Sequence, residues 1–169
     1  MKPPLRNGSP DDFSTPPAAL NPLLKYIPME WTIWDPAIGI GGDMTALADA
    51  LQNNGYKIVT TKGSFSIFRP PEEEFDCIIT NPPYSNKEGF LKTCYLYEKP
   101  FALLMPITAL EGRERQNMYR EFGIQLILFD KRINFIPNRS GAWFAVGWFT
   151  WKLGLKRDII FETLLNEGD

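Results

Sequence analysis

Short apolar segments with the composition of buried β-strands alternate along this chain with segments whose apolar residues recur at helical spacing. Such alternation predicts an α/β fold with a mostly parallel sheet, because each parallel strand needs a crossover that returns the chain to the same edge. The run Phe75–Thr80 is apolar enough to indicate a strand buried on both faces. The last two strands, Ile124–Phe129 and Trp143–Trp151, have no helix between them and should pair antiparallel as a hairpin.

The boundaries of the predicted elements follow from the change between these two hydrophobic periods. A short helix should begin after Thr15-Pro16 and end near Tyr26. Residues 1–12 are rich in Pro, Gly, Asn and Asp and are predicted to form a flexible lead, which leaves residues 13–169 for one domain. Further helices are predicted over residues 43–54, 87–97 and 111–122, and strands over residues 31–34, 57–61, 75–80, 101–105, 124–129 and 143–151.

The composition excludes several classes of site. The chain has no histidine, which removes Ser-His and Cys-His nucleophiles, and its two cysteines are too few for a disulfide framework or a Cys-rich zinc site. No metal is therefore expected, and the chemistry must use carboxylates, amides, backbone carbonyls and aromatic rings. No apolar run reaches the ~20 residues that span a bilayer. The N-terminus also lacks an apolar signal core, so we expect a soluble, cytoplasmic protein without a membrane partner.

The first candidate site is the glycine-rich turn Asp35–Gly42, between a predicted strand and a predicted helix. Glycines let the backbone approach a ligand closely, and the following helix offers free N–H groups. Asp35 at the start of the turn could neutralise a cationic ligand. A tight turn without a ligand would also need glycines, so both interpretations stay open.

The second candidate site is Asn81–Tyr84, with the sequence Asn-Pro-Pro-Tyr, directly after the buried strand. Two consecutive prolines lack N–H donors, so the local carbonyls can only accept hydrogen bonds. Asn81 adds a side-chain carbonyl and Tyr84 adds a flat aromatic face. The set suits a planar amine, which needs two acceptors and a ring for stacking. A rigid exposed turn is the less favoured alternative.

Two further segments have both a functional and a structural interpretation. Phe13–Pro16 is a capped helix start, and there the structural interpretation is favoured. Lys131–Phe135 follows the penultimate strand, where its basic residues could contact a ligand or discourage edge-to-edge aggregation.

Positive charge is concentrated in the C-terminal third. Residues 1–112 carry 9 Lys and Arg against 13 Asp and Glu, whereas residues 113–169 carry 9 against 7. This distribution allows a modest phosphate-contacting face, although a solvated helix face and a loop would account for it equally well. Six of these nine cations form a cluster in the sequence: Arg113, Arg115, Arg120, Lys131, Arg132 and Arg139.

The order of these motifs resembles that of the N6-adenine DNA methyltransferases, above all their small phage and prophage members. The resemblance extends over residues 13–154, nearly the whole chain, and also includes residues 109–113 and 129–135. It implies a Rossmann-like class I methyltransferase fold and a site-specific, adenine-specific DNA methyltransferase of the restriction-modification type. The motifs that carry it are Thr15-Pro16, then Asp35-Pro36-Ala37 with Gly39 and Gly41, then Asn81-Pro82-Pro83-Tyr84.

The resemblance also implies roles for individual residues. Asn81, Pro82, Pro83 and Tyr84 would be catalytic, with Tyr84 stacking on the base and Phe135 lying on its opposite side. S-adenosylmethionine would be the cofactor, bound by Thr15, Pro16, Asp35, Pro36, Ala37, Gly39, Gly41, Thr61 and Asn81. DNA would be contacted by Tyr84, Phe135, Arg113, Arg115, Lys131, Arg132 and Arg139.

Other substrates and partners stay open at this point. The Asn-Pro-Pro-Tyr motif is shared with enzymes that methylate glutamine side chains and guanine amino groups. The alternatives are a methyltransferase for RNA or a protein glutamine, and a catalytically silent subunit that binds nucleic acid. The DNA substrate would be double-stranded, with the target base flipped out, or single-stranded. The protein would act inside a bacterial or phage-infected host cell. Too few residues follow Trp151 for a separate target-recognition domain, so specificity would come from short loops or a partner protein, or be slight.

Overall fold

The computed structural model describes residues 15–37, 44–61, 67, 69–135 and 144–165. The predicted lead, residues 1–12, lies outside the described residues. The strands are β1 Thr32–Asp35, β2 Lys57–Thr60, β3 Cys77–Thr80, β4 Phe101–Pro106, β5 Gln125–Phe129, β6 Val146–Trp151 and β7 Ile159–Glu162. The α-helices are α1 Asn21–Leu24, α2 Ala46–Asn53, α3 Lys87–Leu96 and α4 Arg113–Phe122, and short 3-10 helices cover Pro17–Ala19, Tyr84–Asn86 and Ile107–Leu110.

The described strands form one seven-stranded sheet in the order β2-β1-β3-β4-β6-β5-β7. The pairs β2–β1, β1–β3 and β3–β4 are parallel, and β6 lies antiparallel between β4 and β5. The predicted α/β fold and the antiparallel β5–β6 pair are therefore confirmed. Because β6 is antiparallel to both of its neighbours, β5 runs in the same direction as β4. The carboxyl ends of β1, β3, β4 and β5 consequently meet at one edge of the sheet, which we call the carboxyl edge.

The prediction that the chain has no strand after Trp151 is wrong. β7 pairs parallel with β5, and Glu162 in β7 accepts a hydrogen bond from Tyr26 at 3.3 Å and forms an ion pair with Lys25. Its apolar run, Ile159–Phe161, is only three residues long and lies in an edge strand that is not buried, so it lacks the pattern that marks the central strands. The pairing with β5 and the contacts to the segment after α1 hold β7 in place.

Apolar side chains cover both faces of the sheet, since successive strand residues point to opposite sides. Trp148 in β6 belongs to the core on the α1 and α2 side, where its indole N–H donates to the Ala19 carbonyl at 2.8 Å. The next residue, Phe149, belongs to the core on the α3 and α4 side. None of the helices in the described ranges is both long and apolar enough to cross a membrane.

Gly147 in β6 packs closely against β5. A Cβ atom at this position would lie 2.9 Å from the Ile127 carbonyl oxygen and 2.9 Å from the Leu128 Cδ2 atom. The carbonyl belongs to the β5 backbone and cannot rotate away as a side chain would. We expect Gly147→Ala to lower the free energy of unfolding by about 1–3 kcal/mol, the usual cost of overpacking. Urea denaturation checks this, and an unchanged midpoint would show that the sheet accommodates the methyl group.

Candidate active site

Asp35, at the end of β1, connects three segments at the carboxyl edge. Its side chain is fully buried. One carboxylate oxygen accepts from the Ala37 backbone N–H at 3.0 Å and from the Thr80 hydroxyl at 2.7 Å, and the other accepts from the Thr45 hydroxyl at 2.5 Å. Thr45 is also the N-cap of α2, where its oxygen accepts from the Ala48 N–H. Asp35 thus ties the ends of β1 and β3 to the start of α2.

Burial raises the pKa of the Asp35 carboxyl to about 6, while its three hydrogen bonds act in the opposite direction. The described residues give this carboxylate no ion-pair partner. Keeping an ionised group in such a place lowers stability, and strongly perturbed acids of this kind cluster at functional sites. Asp35 is therefore consistent with the site that the glycine-rich turn indicates.

The raised pKa of Asp35 predicts that the free energy of unfolding depends on pH. Since the folded pKa lies above the unfolded value, the carboxyl favours folding below about pH 4, and this contribution is lost as pH rises through about 6. The loss should be about 2–3 kcal/mol for a shift of this size. We expect the difference in unfolding free energy between the wild type and Asp35→Asn to change by this amount between pH 4 and pH 7. Denaturant titrations measure these free energies. If those of the wild type and Asp35→Asn change with pH in parallel, the pKa of Asp35 is not raised.

Asn81 follows β3 directly and meets the N-terminal segment. Its side-chain amide nitrogen donates to the hydroxyl oxygen of Thr15 at 3.1 Å, and Thr15 is itself buried. The structure therefore brings together two predicted site residues that are 66 positions apart. Pro16 caps the 3-10 helix Pro17–Ala19 with its backbone and not with a side chain. The Thr15 hydroxyl contacts Asn81, a role that a helix-start interpretation does not foresee.

The two prolines of the motif turn the chain from β3 into a 3-10 helix, Tyr84–Asn86. Pro82 is buried, and Pro83 caps the 3-10 helix in an extended conformation. Lys87, the first residue of α3, donates its ammonium group to the Tyr84 carbonyl at 3.0 Å. The Asn-Pro-Pro-Tyr segment therefore lies at the carboxyl edge, directly after β3.

Three aromatic rings form a cluster next to this segment. The Tyr84 and Phe144 ring centroids are 5.6 Å apart in an edge-to-face arrangement, and Phe144 and Phe135 are 6.5 Å apart with a tilt of 34°. Tyr84 and Phe135, both predicted from the sequence, thus share Phe144 as a neighbour. Phe144 was missed by the sequence analysis, although it stands just before an aromatic strand. Its position follows from the antiparallel direction of β6, which begins at the carboxyl edge.

The other residues predicted to bind a cofactor are only partly described. Pro36 and Ala37 are buried beside Asp35. The Thr61 hydroxyl accepts from the Trp34 indole N–H at 3.0 Å and donates to the Arg69 carbonyl at 3.2 Å. Its only proton is therefore already donated to another residue of the protein. Gly39 and Gly41 lie outside the described residues.

The predicted cations differ in their surroundings. Arg115 is mostly buried: it forms an ion pair with Glu88 at 3.1 Å and donates to the carbonyls of Ala109 and Glu111. The ion pair thus links α4 to α3. Arg139 lies outside the described residues. Of the cations predicted to contact DNA, Arg113 at the start of α4 and Lys131 and Arg132 after β5 are exposed.

No protein-family model matches this sequence, and no curated protein matches it. The fold is similar to that of a modification subunit of a putative type I restriction enzyme from Vibrio vulnificus YJ016, with a TM-score of 0.53 and 13% identity. That match covers 96% of this chain and 49% of the other, so the chain spans about half the length of that subunit.

A second similar structure is a putative class I S-adenosylmethionine-dependent methyltransferase from Listeria monocytogenes. The TM-score is 0.56 and the identity 13%, over 95% of this chain and 68% of the other. At this identity the likeness is one of fold. The chain has the α/β fold of the class I methyltransferases, as its motif order predicts.

Proposed function

We propose that this chain, with its class I methyltransferase fold, transfers a methyl group from S-adenosylmethionine to the exocyclic N6 amine of adenine in DNA. The observation that carries the proposal is the Asn81–Tyr84 segment at the carboxyl edge. There the amide of Asn81 is oriented by Thr15, and Tyr84 belongs to an aromatic cluster. Ligands of open α/β sheets bind at the carboxyl ends of the strands, which is where this segment lies.

The described residues fit a cationic cofactor. S-adenosylmethionine carries positive charge on its sulfur and its amino group, and Asp35 is a buried carboxylate to which the described residues supply hydrogen bonds but no cation. A positive group near the carboxyl ends of β1 and β3 would offset part of the cost of that buried charge. Asp35, Pro36 and Ala37 would form one side of the cofactor site, with Gly39 and Gly41 in the adjoining turn. When bound, the cofactor supplies the electrophilic methyl group.

Asn81 and Pro82 would activate the amine. The N6 nitrogen of adenine is a poor nucleophile because its lone pair is delocalised into the ring. The Asn81 side-chain oxygen and the Pro82 carbonyl can accept its two N–H groups, and Pro83 brings no N–H donor to compete with them. These hydrogen bonds strengthen as positive charge develops on the nitrogen, so they stabilise the transition state more than the ground state.

The aromatic cluster would hold the base. Inside a duplex the N6 amine cannot reach a cofactor at the carboxyl edge, so the adenine must flip out or arrive in single-stranded DNA. Stacking on an aromatic ring contributes ~1–3 kcal/mol per base. Tyr84 would stack on the base, with Phe135 and Phe144 enclosing it. Lys131 and Arg132 would then lie where the phosphates of the flipped nucleotide pass.

The similarity to a restriction-enzyme modification subunit supports DNA as the substrate and a partner protein as the source of sequence specificity. RNA methylation, glutamine methylation and a catalytically silent role are outcomes of the same test. The wild-type chain is incubated with S-adenosylmethionine carrying a tritiated methyl group and with DNA, RNA or protein in separate reactions. We expect label in DNA, recovered as N6-methyladenine after digestion to nucleosides. Label in RNA or protein alone would overturn the DNA assignment, and cofactor binding without any transfer would indicate a silent subunit.

A further inference from the structure

Two buried threonine hydroxyls lie on either side of Asn81 in the hydrogen-bond network: one contacts its side chain, and the other anchors the residue before it. The Thr15 oxygen accepts from the Asn81 side-chain amide at 3.1 Å. The hydroxyl of Thr80, the residue before Asn81, donates to the Asp35 carboxylate at 2.7 Å. Thr15 is 4% exposed and Thr80 is fully buried, so water does not compete easily for either contact.

We propose that Thr15 and Thr80 are positioning residues that set the orientation of the Asn81 amide and of the backbone that carries it. The proposal rests on the function proposed above. It assigns to Thr15 a role different from the cofactor contact that the motif order implies.

The geometry of an amide explains the role of Thr15. The nitrogen and oxygen of the Asn81 side chain lie in one plane on opposite sides of a single carbon. Once the nitrogen donates to Thr15, the oxygen is directed away from Thr15 and the rotation about the last side-chain bond is set. An acceptor that must meet the N–H group of an incoming amine gains from this, because its orientation is established before the substrate arrives.

Thr80 acts one residue earlier. Its hydroxyl is held by an oxygen of Asp35 that also accepts from the Ala37 N–H, and the second oxygen holds Thr45 at the start of α2. The end of β3 is thereby connected to β1 and α2 through one buried carboxylate. The Pro82 carbonyl follows directly, so both proposed acceptors for the amine depend on where this strand ends.

The alternative, that Thr15 contacts the cofactor, predicts a different kinetic result. A positioning residue affects the rate of the chemical step and leaves cofactor affinity unchanged, whereas a cofactor contact affects the dissociation constant for S-adenosylmethionine. Valine and threonine have nearly the same shape, so Thr15→Val and Thr80→Val remove the hydroxyl and little else. Serine at each position restores the hydroxyl.

Thr150 provides a matched control. It is fully buried in β6 of the same sheet, and its hydroxyl donates to the Gln125 carbonyl at 3.1 Å. It pairs with Ala102 near the start of β4, at the edge of the sheet opposite to Asn81. Thr150→Val therefore measures the general cost of losing a buried hydroxyl in this sheet.

We expect Thr15→Val to lower kcat by about 10- to 100-fold, the scale of a small misplacement of a reacting group. Thr80→Val should have a smaller effect in the same direction. The dissociation constant for S-adenosylmethionine should stay within about twofold, kcat should recover in both serine variants, and Thr150→Val should keep the wild-type kcat. A wild-type kcat in Thr15→Val, or a weakened cofactor affinity with an unchanged kcat, would overturn the positioning role.

A second measurement does not depend on methyl transfer. The side-chain amide protons of Asn81 give NMR signals whose position and hydrogen-exchange rate report the contact with Thr15. We expect Thr15→Val to shift these signals and accelerate their exchange, and Thr150→Val to leave them in place. If the wild type transfers no methyl group to any substrate, the proposed function fails while the NMR result still decides whether Thr15 holds Asn81. Unshifted signals in Thr15→Val would overturn the inference whatever the assay shows.

Discussion

Replacing Asn81 by alanine is expected to lower kcat for methyl transfer by about 100-fold or more, with the fold preserved. Asn81 stands at the end of a buried strand, and its side-chain oxygen is the proposed acceptor for the reacting amine. An acceptor whose hydrogen bond strengthens in the transition state contributes to kcat more than to substrate binding. Because Asn81 is not part of the two apolar cores, its truncation should leave them intact.

The measurement compares single-turnover methyl transfer in Asn81→Ala and in the wild type, with circular dichroism and urea denaturation to verify the fold. Asn117→Ala is the control, since Asn117 is an exposed residue of α4 whose side chain contacts only Arg120 among the bonds described. Near-wild-type turnover in Asn81→Ala would remove Asn81 from the mechanism. A loss of equal size in Asn117→Ala would show that the assay reports a general effect of the substitution.

Replacing Lys131 and Arg132 together by alanine is expected to weaken DNA binding and to reduce the salt dependence of the association constant by about two units of slope. Both side chains are exposed, and they follow β5 at the carboxyl edge, near Phe135. In the proposed function, a base held by the aromatic cluster would bring its flanking phosphates across this surface. Each phosphate contact releases a counterion, so the loss of two contacts appears directly in the slope.

The chain contains a matched control for this pair. Lys156 and Arg157 form a second exposed Lys-Arg dipeptide, between β6 and β7 at the opposite edge of the sheet. Alanine at both of these positions makes the same change in net charge and should leave the slope unchanged. Equal effects of the two double variants would mean that DNA binds through overall charge. No effect of either would favour a protein substrate, because a glutamine side chain brings no phosphates.

The period of the apolar residues predicted the type of most elements, because burial on one face of a helix or on both faces of a strand is a local property. Phe75–Thr80 was predicted as a buried strand, and the structure has β3 over Cys77–Thr80 with all four residues buried. The position of β6 between β4 and β5 could not be read in the same way. Strand order depends on pairings between distant segments, such as Leu103 with Phe149.

The candidate site likewise has features that the local sequence predicts and features that depend on tertiary contacts. The Asn-Pro-Pro-Tyr segment could be identified from the sequence because proline, asparagine and tyrosine have chemistry that does not depend on distant residues. The place of Phe144 between Tyr84 and Phe135 depends on three separate parts of the chain. The ion pair of Arg115 with Glu88 likewise joins two different helices. No local pattern reports such contacts.

The sequence by itself determined the α/β class, the chemistry available in a chain without histidine, and the Asn-Pro-Pro-Tyr segment after a buried strand. Each of these depends on residue type and short-range spacing. Only the tertiary structure decided that Thr15 meets Asn81 and that Asp35 becomes a buried carboxylate with a raised pKa. The physical reason is that hydrogen-bond partners and desolvation are properties of the packed chain. They arise when β1, β3, α2 and the N-terminal segment meet at one edge of the sheet.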